Sequence, residues 1–193
     1  MHAYGSDKLN DPAKAEELIL QMIQLDPTEI SNYVLIANLY QDVGEYAAAE
    51  NALLNARDKR PDDPIVYMQL AGFYNRQGAF DKTIAALIER ADRDPMNPEA
   101  YYTIATYYWD HAYRDFKLTG VEKREMVMKG LESVERAIGS KPDYVEALVY
   151  KNLLLRLQAN LEPDPLKRDQ LIREADETRD YAQQLRRRPP QKQ

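Results

Sequence analysis

The sequence predicts an all-α protein made of repeated helix pairs, and three observations carry that prediction. Helix-breaking residues are few: the 193 residues include 7 Gly and 11 Pro, while 44% are hydrophobic and 30% charged. Such a chain can bury a core and stay largely helical. Particular residues return at a fixed interval, which marks a repeat architecture. Tyr33, Tyr67 and Tyr101 are 34 apart, as are Ala37, Ala71 and Ala105, then Tyr40, Tyr74 and Tyr108, and Pro27, Pro61 and Pro95. Inside the repeat the spacing is helical: Tyr33, Ile36, Ala37 and Tyr40 stand at i, i+3, i+4 and i+7, one face of a helix.

The elements follow in order. Residues 1–10, with Gly5, Ser6 and Asp7, read as a flexible start. A leading helix over 11–26 carries Ala15 and Ile19 ahead of Pro27, which matches only the second half of a repeat. The repeat at 30–63 pairs its first helix with a second, on which Ala49, Leu53 and Ala56 form the facing stripe. Small Ala37 lets the two helices approach, Gly44 suits a helix end with positive φ, and Pro61 stops the second helix. The repeat at 64–97 keeps Tyr67, Leu70, Ala71, Tyr74, Gly78, Leu87 and Pro95. It departs at Thr83 and Arg90, where the stripe calls for alanine, and Arg90 is expected to snorkel out of a crowded seam.

The repeat at 98–144 keeps Tyr101, Ile104, Ala105 and Tyr108, but Pro142 comes 47 residues after Pro95, thirteen beyond the period. Thr119 and Gly120 mark the turn, so 112–124 is expected to lengthen both helices by about two turns each. Tyr113, Phe116 and Leu118 are then expected to bury against the next repeat. A degenerate repeat and capping helix occupy 145–185. Leu148 and Leu155 fit the pattern, whereas Lys151 and Asn152 replace an aliphatic and a small residue. Leu171, Ala175, Thr178, Ala182 and Leu185 make one thin stripe on a charged helix, as a terminal cap should. Residues 186–193 (RRRPPQKQ) read as a disordered tail.

The unit Tyr33-x2-Ile36-Ala37-x2-Tyr40, Gly44, Ala49-x3-Leu53, Ala56 and Pro61 resembles the tetratricopeptide repeat, strongly over about residues 30–142. The resemblance implies a right-handed solenoid of antiparallel helix pairs, with lengthened helices in the third and fourth repeats. It also implies that the first helices line a concave groove. Many members hold a chaperone's terminal carboxylate with Lys, Asn and Arg on those helices. Here only Asn38 matches, and Val34, Met68 and Tyr102 stand where the cations are needed, so a chaperone adaptor is not expected. Pentatricopeptide RNA readers run at 35 residues and are basic, unlike this chain.

Composition narrows the function further. A net charge of −6 repels phosphates, so no nucleic-acid partner is expected. The absence of Cys excludes disulfides, thiolate metal sites and cysteine nucleophiles. No apolar run approaches the ~18–20 residues of a membrane span, so no membrane insertion is expected. The start MHAYGSDK lacks the basic and apolar regions of a secretion signal, which leaves the compartment unassigned: cytoplasmic by default, with an exported mature fragment as the alternative. His111 can pair with Asp115 at i+4, while Asp110 points elsewhere. One His and one carboxylate make neither a triad nor a closed metal site. No catalytic residue, metal ligand or cofactor is expected.

The expected activity is therefore protein–protein interaction: a scaffold or adaptor that takes a peptide or partner helix in the groove. Tyr102, Thr106, Trp109 and Tyr113 form a second stripe, off the packing face of Tyr101 and Tyr108. The stripe belongs to the expected groove, with Tyr102, Trp109 and Met68 as its apolar anchors; Asn38, Gln69, Asn75 and Arg156 are expected to supply hydrogen bonds. Gly72 in mid-helix is expected to leave room beside Tyr102 and Trp109. Two alternatives stay open: a homodimeric or larger assembly module, and a small-molecule or enzymatic pocket lined by the same rings.

Overall fold

The computed structural model describes residues 12–187, which form nine α-helices and no strand among the described residues. They are α1 (Pro12–Leu25), α2 (Ile30–Asp42), α3 (Tyr46–Lys59), α4 (Pro64–Arg76) and α5 (Phe80–Arg93), then α6 (Pro98–Arg114), α7 (Gly120–Ser140), α8 (Val145–Leu161) and α9 (Pro165–Arg187). The expected flexible start, and the tail beyond Arg187, lie outside the described residues; Arg186 and Arg187 belong to α9. Two compact units share the chain, one up to Ala86 and one from Leu87.

The period of 34 is also a period of hydrogen bonds. α2, α4 and α6 each start at a residue whose side chain accepts from the backbone N–H two positions on. Glu29 takes that of Ser31 at 3.1 Å, Asp63 that of Ile65 at 2.9 Å and Asn97 that of Glu99 at 3.0 Å. These bonds satisfy amides that the helix leaves without partners. Pro64 and Pro98 occupy the first turn, where a missing N–H costs nothing. Gly44 and Gly78 follow the ends of α2 and α4 with φ of 82° and 69°, the left-handed conformation that glycine adopts without strain.

Within the N-terminal unit the tyrosines fix the repeats to one another. The Tyr33 hydroxyl donates to the Pro27 carbonyl at 3.0 Å, and Tyr67 repeats the bond to Pro61 at 2.6 Å. Tyr40 donates to Glu16 at 2.7 Å, and Tyr74 to Glu50 at 2.8 Å. Ala37, Ala49, Ala56 and Ala71 are fully buried. A methyl group there lets helix axes come close, which is why alanine occupies these seams. No residue of α1 is buried.

The C-terminal unit explains the departures from the period. Arg90 is buried, and its guanidinium pairs with Glu99 at 3.5 Å. In the N-terminal unit, the hydroxyl of Thr83 folds back onto the Ala79 carbonyl, so this buried polar group is satisfied. The insertion does lengthen the helices, though unequally. α6 has 17 residues against 13 in α4, about one turn more, and α7 has 21 against 14 in α5, about two turns more. Residues 115–119 form a turn. Asp115 ends α6 and accepts from the Lys117 N–H at 2.8 Å, while Thr119 and Glu122 make a capping box for α7.

That turn corrects one expectation. Tyr113 and Phe116 are not buried against the next repeat: they are 59% and 91% exposed. Asp115 closes the helix before Phe116 can reach a neighbour, and Tyr113 stands on the outer side of the last turn of α6. Leu118 is half-buried.

α7 passes close to both α6 and α8 at Gly130. Along α8, Lys151 makes ion pairs with Glu135 of α7 at 3.4 Å and Glu174 of α9 at 3.1 Å. A long cation bridging two helices thus stands where other repeats carry Ile or Leu. α9 buries Ala175 and Ala182 on α8 and turns its charged faces to solvent, the polar ending that an array of repeats needs.

Candidate protein-binding surface

In the C-terminal unit the surface is built on α6 and α8, the first helices of their repeats. Tyr102, Thr106, Trp109 and Tyr113 follow one another along α6 at i, i+4, i+7 and i+11, so they share a stripe. The neighbouring stripe of the same helix, Tyr101, Ile104, Ala105, Tyr108 and Ala112, is buried. Tyr102, Thr106 and Trp109 are half-buried, while Tyr113 is open to solvent.

The rings form one connected pavement. Trp109 stacks on Tyr113 with centroids 5.0 Å apart and planes 9° from parallel. Tyr150 of α8 meets Trp109 edge-on at 5.7 Å and Tyr102 edge-on at 5.5 Å. Tyr144, just before α8, lies 5.3 Å from Tyr102. Offset stacks and edge-to-face contacts are the arrangements that ring quadrupoles favour, so the pavement is held in place before any partner arrives. Burial pushes the Tyr102 phenol above its ordinary pKa, with Tyr150 and then Glu146 adding to the rise. Thr106 spends its hydroxyl on the Thr103 carbonyl at 2.7 Å.

Sequence reasoning missed Tyr144 and Tyr150. Tyr150 sits 47 residues after Thr103, the same interval that separates Pro142 from Pro95, so the period carried a signal for it. Tyr144 lies at the turn before α8 and had none.

Arg156 is drawn to α9: its guanidinium donates to Asp176 at 2.6 Å and to Asn152 at 3.0 Å. Asn38, Met68, Gln69, Gly72 and Asn75 belong to α2 and α4 of the N-terminal unit. Asn38 and Gln69 line a polar cleft with Gln41 and Arg76. There the Arg76 guanidinium donates twice to the Gln41 side-chain carbonyl, at 2.8 and 3.1 Å, and Gln41 donates to Asn38 at 3.3 Å. Gly72 does not face empty space, since a Cβ there would meet the Arg76 guanidinium at 3.4 Å. Met68 is half-buried and Asn75 exposed. Arg76 is a member of this cleft that the sequence did not single out.

No group of three or more His, Asp or Glu able to hold a metal ion occurs among the described residues. Nor is any described helix long and apolar enough to cross a membrane.

Residues 34–98 match the sequence profile of the tetratricopeptide repeat. Over that stretch the chain carries tetratricopeptide repeats. Solved tetratricopeptide structures share its fold across nearly the whole length. A crystal structure of MamA superimposes with a TM-score of 0.56 at 17% identity, covering 96% of each chain. MamA from Desulfovibrio magneticus RS-1 gives 0.54 at 13% identity, over 92% of this chain and 87% of that one. YrrB, described as a TPR protein with an unusual peptide-binding site, gives 0.53 at 12% identity, over 93% and 86%. At these identities the likeness is one of fold. Comparison with curated proteins finds no significant match.

Proposed function

We propose that this protein is an interaction scaffold, and that the α6–α8 pavement takes an extended segment of a protein partner. The observation that supports this reading most is the pavement itself. Trp109 stacks on Tyr113, and Tyr150 packs edge-on against Trp109 and Tyr102, yet each ring stays partly open to solvent. A core would cover such rings, and an ordinary surface would not gather them. Pre-ordered aromatic side chains lose little entropy on binding and are frequent anchors of interface energy. The peptide-binding site named for YrrB, a protein of the same fold, is consistent with this reading.

The test begins with partner capture from the native host by the full chain, followed by mass spectrometry. Trp109→Ala should then weaken binding of the captured partner by ~2 kcal/mol or more. It should lower the melting temperature much less than Tyr108→Ala, because Tyr108 is 8% exposed and Trp109 is only half-buried. Equal loss of stability in the two variants would make the stripe core and defeat the reading.

A further inference from the structure

We infer that α1 is a self-association helix: its open apolar stripe of Leu18, Met22 and Leu25 pairs antiparallel with the same stripe of a second copy of this chain. The contact is separate from the α6–α8 surface and belongs to the N-terminal unit.

α1 stands to α2 as α3 stands to α4. Glu16 accepts from the Tyr40 hydroxyl, just as Glu50, 34 residues on, accepts from that of Tyr74. α3 has a second neighbour, however, because α2 of its own repeat packs against it too; among the described helices α1 packs closely on α2 only. The difference between the two environments is what that extra helix covers. The period sets Ala52 and Ala56 of α3 at the positions of Leu18 and Met22. Both alanines are buried, whereas Leu18 is 51% and Met22 45% exposed. Leu25 continues the same stripe and is 87% exposed. Three large apolar side chains thus line the face that a helix covers in the next repeat. The capping helix α9 turns charge outward. α1 turns out Leu and Met instead, a surface that still has apolar area to bury.

Side-chain size selects the occupant. α3 closes its helix pair on Ala49, Ala52 and Ala56, all buried, where a methyl group allows close approach. With Leu18 and Met22 in two of those three places, the same close fit would be overpacked. The helix that covers α1 therefore stands further off and meets long aliphatic side chains with its own, as α1 of a second copy does. Charge sets the direction. Lys14 lies in the first turn of α1, while Asp26 and Glu29 follow its last turn, all three exposed. An antiparallel pair with its twofold axis at Met22 sets Leu18 of each copy opposite Leu25 of the other, and each Lys14 beside the other's acidic end. A parallel pair would set Lys14 against Lys14 and acid against acid. The antiparallel contact is isologous, so each of its interactions occurs twice.

Sedimentation velocity of the full chain tests this. A contact of one helix pair is small and weak, so a reversible monomer–dimer equilibrium should appear within a loading range of about 5–500 μM. Leu18→Glu and Leu25→Lys should each weaken the dimer about tenfold or more, because each buries two charges against apolar side chains. Leu20→Glu lies on the opposite side of α1, at a position 41% exposed, and should leave the dimer unchanged. An equimolar mixture of the Leu18→Glu and Leu25→Lys chains should recover most of the lost association, since the antiparallel register sets one charge opposite the other. Chains that had merely lost their fold would not recover on mixing. A chain monomeric throughout the range overturns the inference. So does a dimer indifferent to Leu18→Glu, one weakened as much by Leu20→Glu, or a mixture that fails to recover.

Discussion

Adding one methyl group at Gly130 should destabilise the C-terminal unit, although alanine is the better helix former. Gly130 lies in the middle of α7 and is buried. A Cβ built there would sit 2.8 Å and 3.3 Å from the two methyl carbons of Leu154 and 3.2 Å from the Cβ of Tyr108. Carbon atoms settle about 3.5–4.0 Å apart, so all three distances are too short. Leu154 is fully buried, and the Cβ of Tyr108 is fixed by the α6 backbone. Overpacking of this kind costs about 1–3 kcal/mol, against about 1 kcal/mol gained in helix propensity. The net is a loss of about 0–2 kcal/mol.

Gly139 is the control. It belongs to the same helix and a Cβ there meets nothing within 4 Å, so Gly139→Ala should stabilise by a few tenths to about 1 kcal/mol. Equilibrium urea unfolding followed by Trp109 emission reports on this unit, because the single tryptophan lies in it. The two variants should differ by about 1–3 kcal/mol, with Gly130→Ala the less stable. If both are stabilised equally, the close approach of α7 to α6 and α8 is wrong.

Other perturbations test the remaining contacts. Ala71 is fully buried, so Ala71→Leu should overpack its seam and cost about 1–3 kcal/mol in urea unfolding. Tyr74→Phe removes the donor to Glu50 and should cost about 0.5–1.5 kcal/mol, and Tyr40→Phe, which frees Glu16, should lose a similar amount. Asn97→Ala removes the acceptor for the Glu99 amide and should cost about 1 kcal/mol, with no change in emission maximum. The Lys82 ammonium, and then the Tyr74 hydroxyl, hold the Glu50 carboxyl below its ordinary value of 4.5. A carboxyl with a lowered folded-state pKa contributes its stability above that ordinary value and loses it as pH falls through the folded value. Urea midpoints measured downward from neutral pH should therefore drop less steeply below about pH 4.5 in Glu50→Gln than in the parent chain.

The fold was largely legible because its determinants are local and recur. An alanine every 34 residues, a tyrosine at i and i+7 on the same helix, and a glycine just past its end can each be read along the chain. Each corresponds to one physical need: close approach, burial, or positive φ. Even Lys151 and Asn152 were visible as breaks, although their purpose was not. That Lys151 spans Glu135 and Glu174 depends on helices 16 residues before it and 23 after it.

The candidate surface was legible only by half. A helical period puts Tyr102, Thr106, Trp109 and Tyr113 on one stripe, and the sequence alone determined that much, along with the all-α repeat and its register. Only tertiary packing decided which neighbours the stripe would meet. α8 brought Tyr150 between Tyr102 and Trp109, and α9 drew Arg156 away through Asp176. Arg76 brought its guanidinium within contact distance of the Gly72 side of α4, and Asp115 left Phe116 in solvent by closing α6 one residue earlier. The reason is the range of the forces. Helix formation, capping and the burial of a periodic face are fixed within a turn or two of the chain, so a single strand of letters encodes them. Ring edges, ion pairs and the room left for one methyl group depend on atoms brought together from distant positions, and they exist only once the helices have packed.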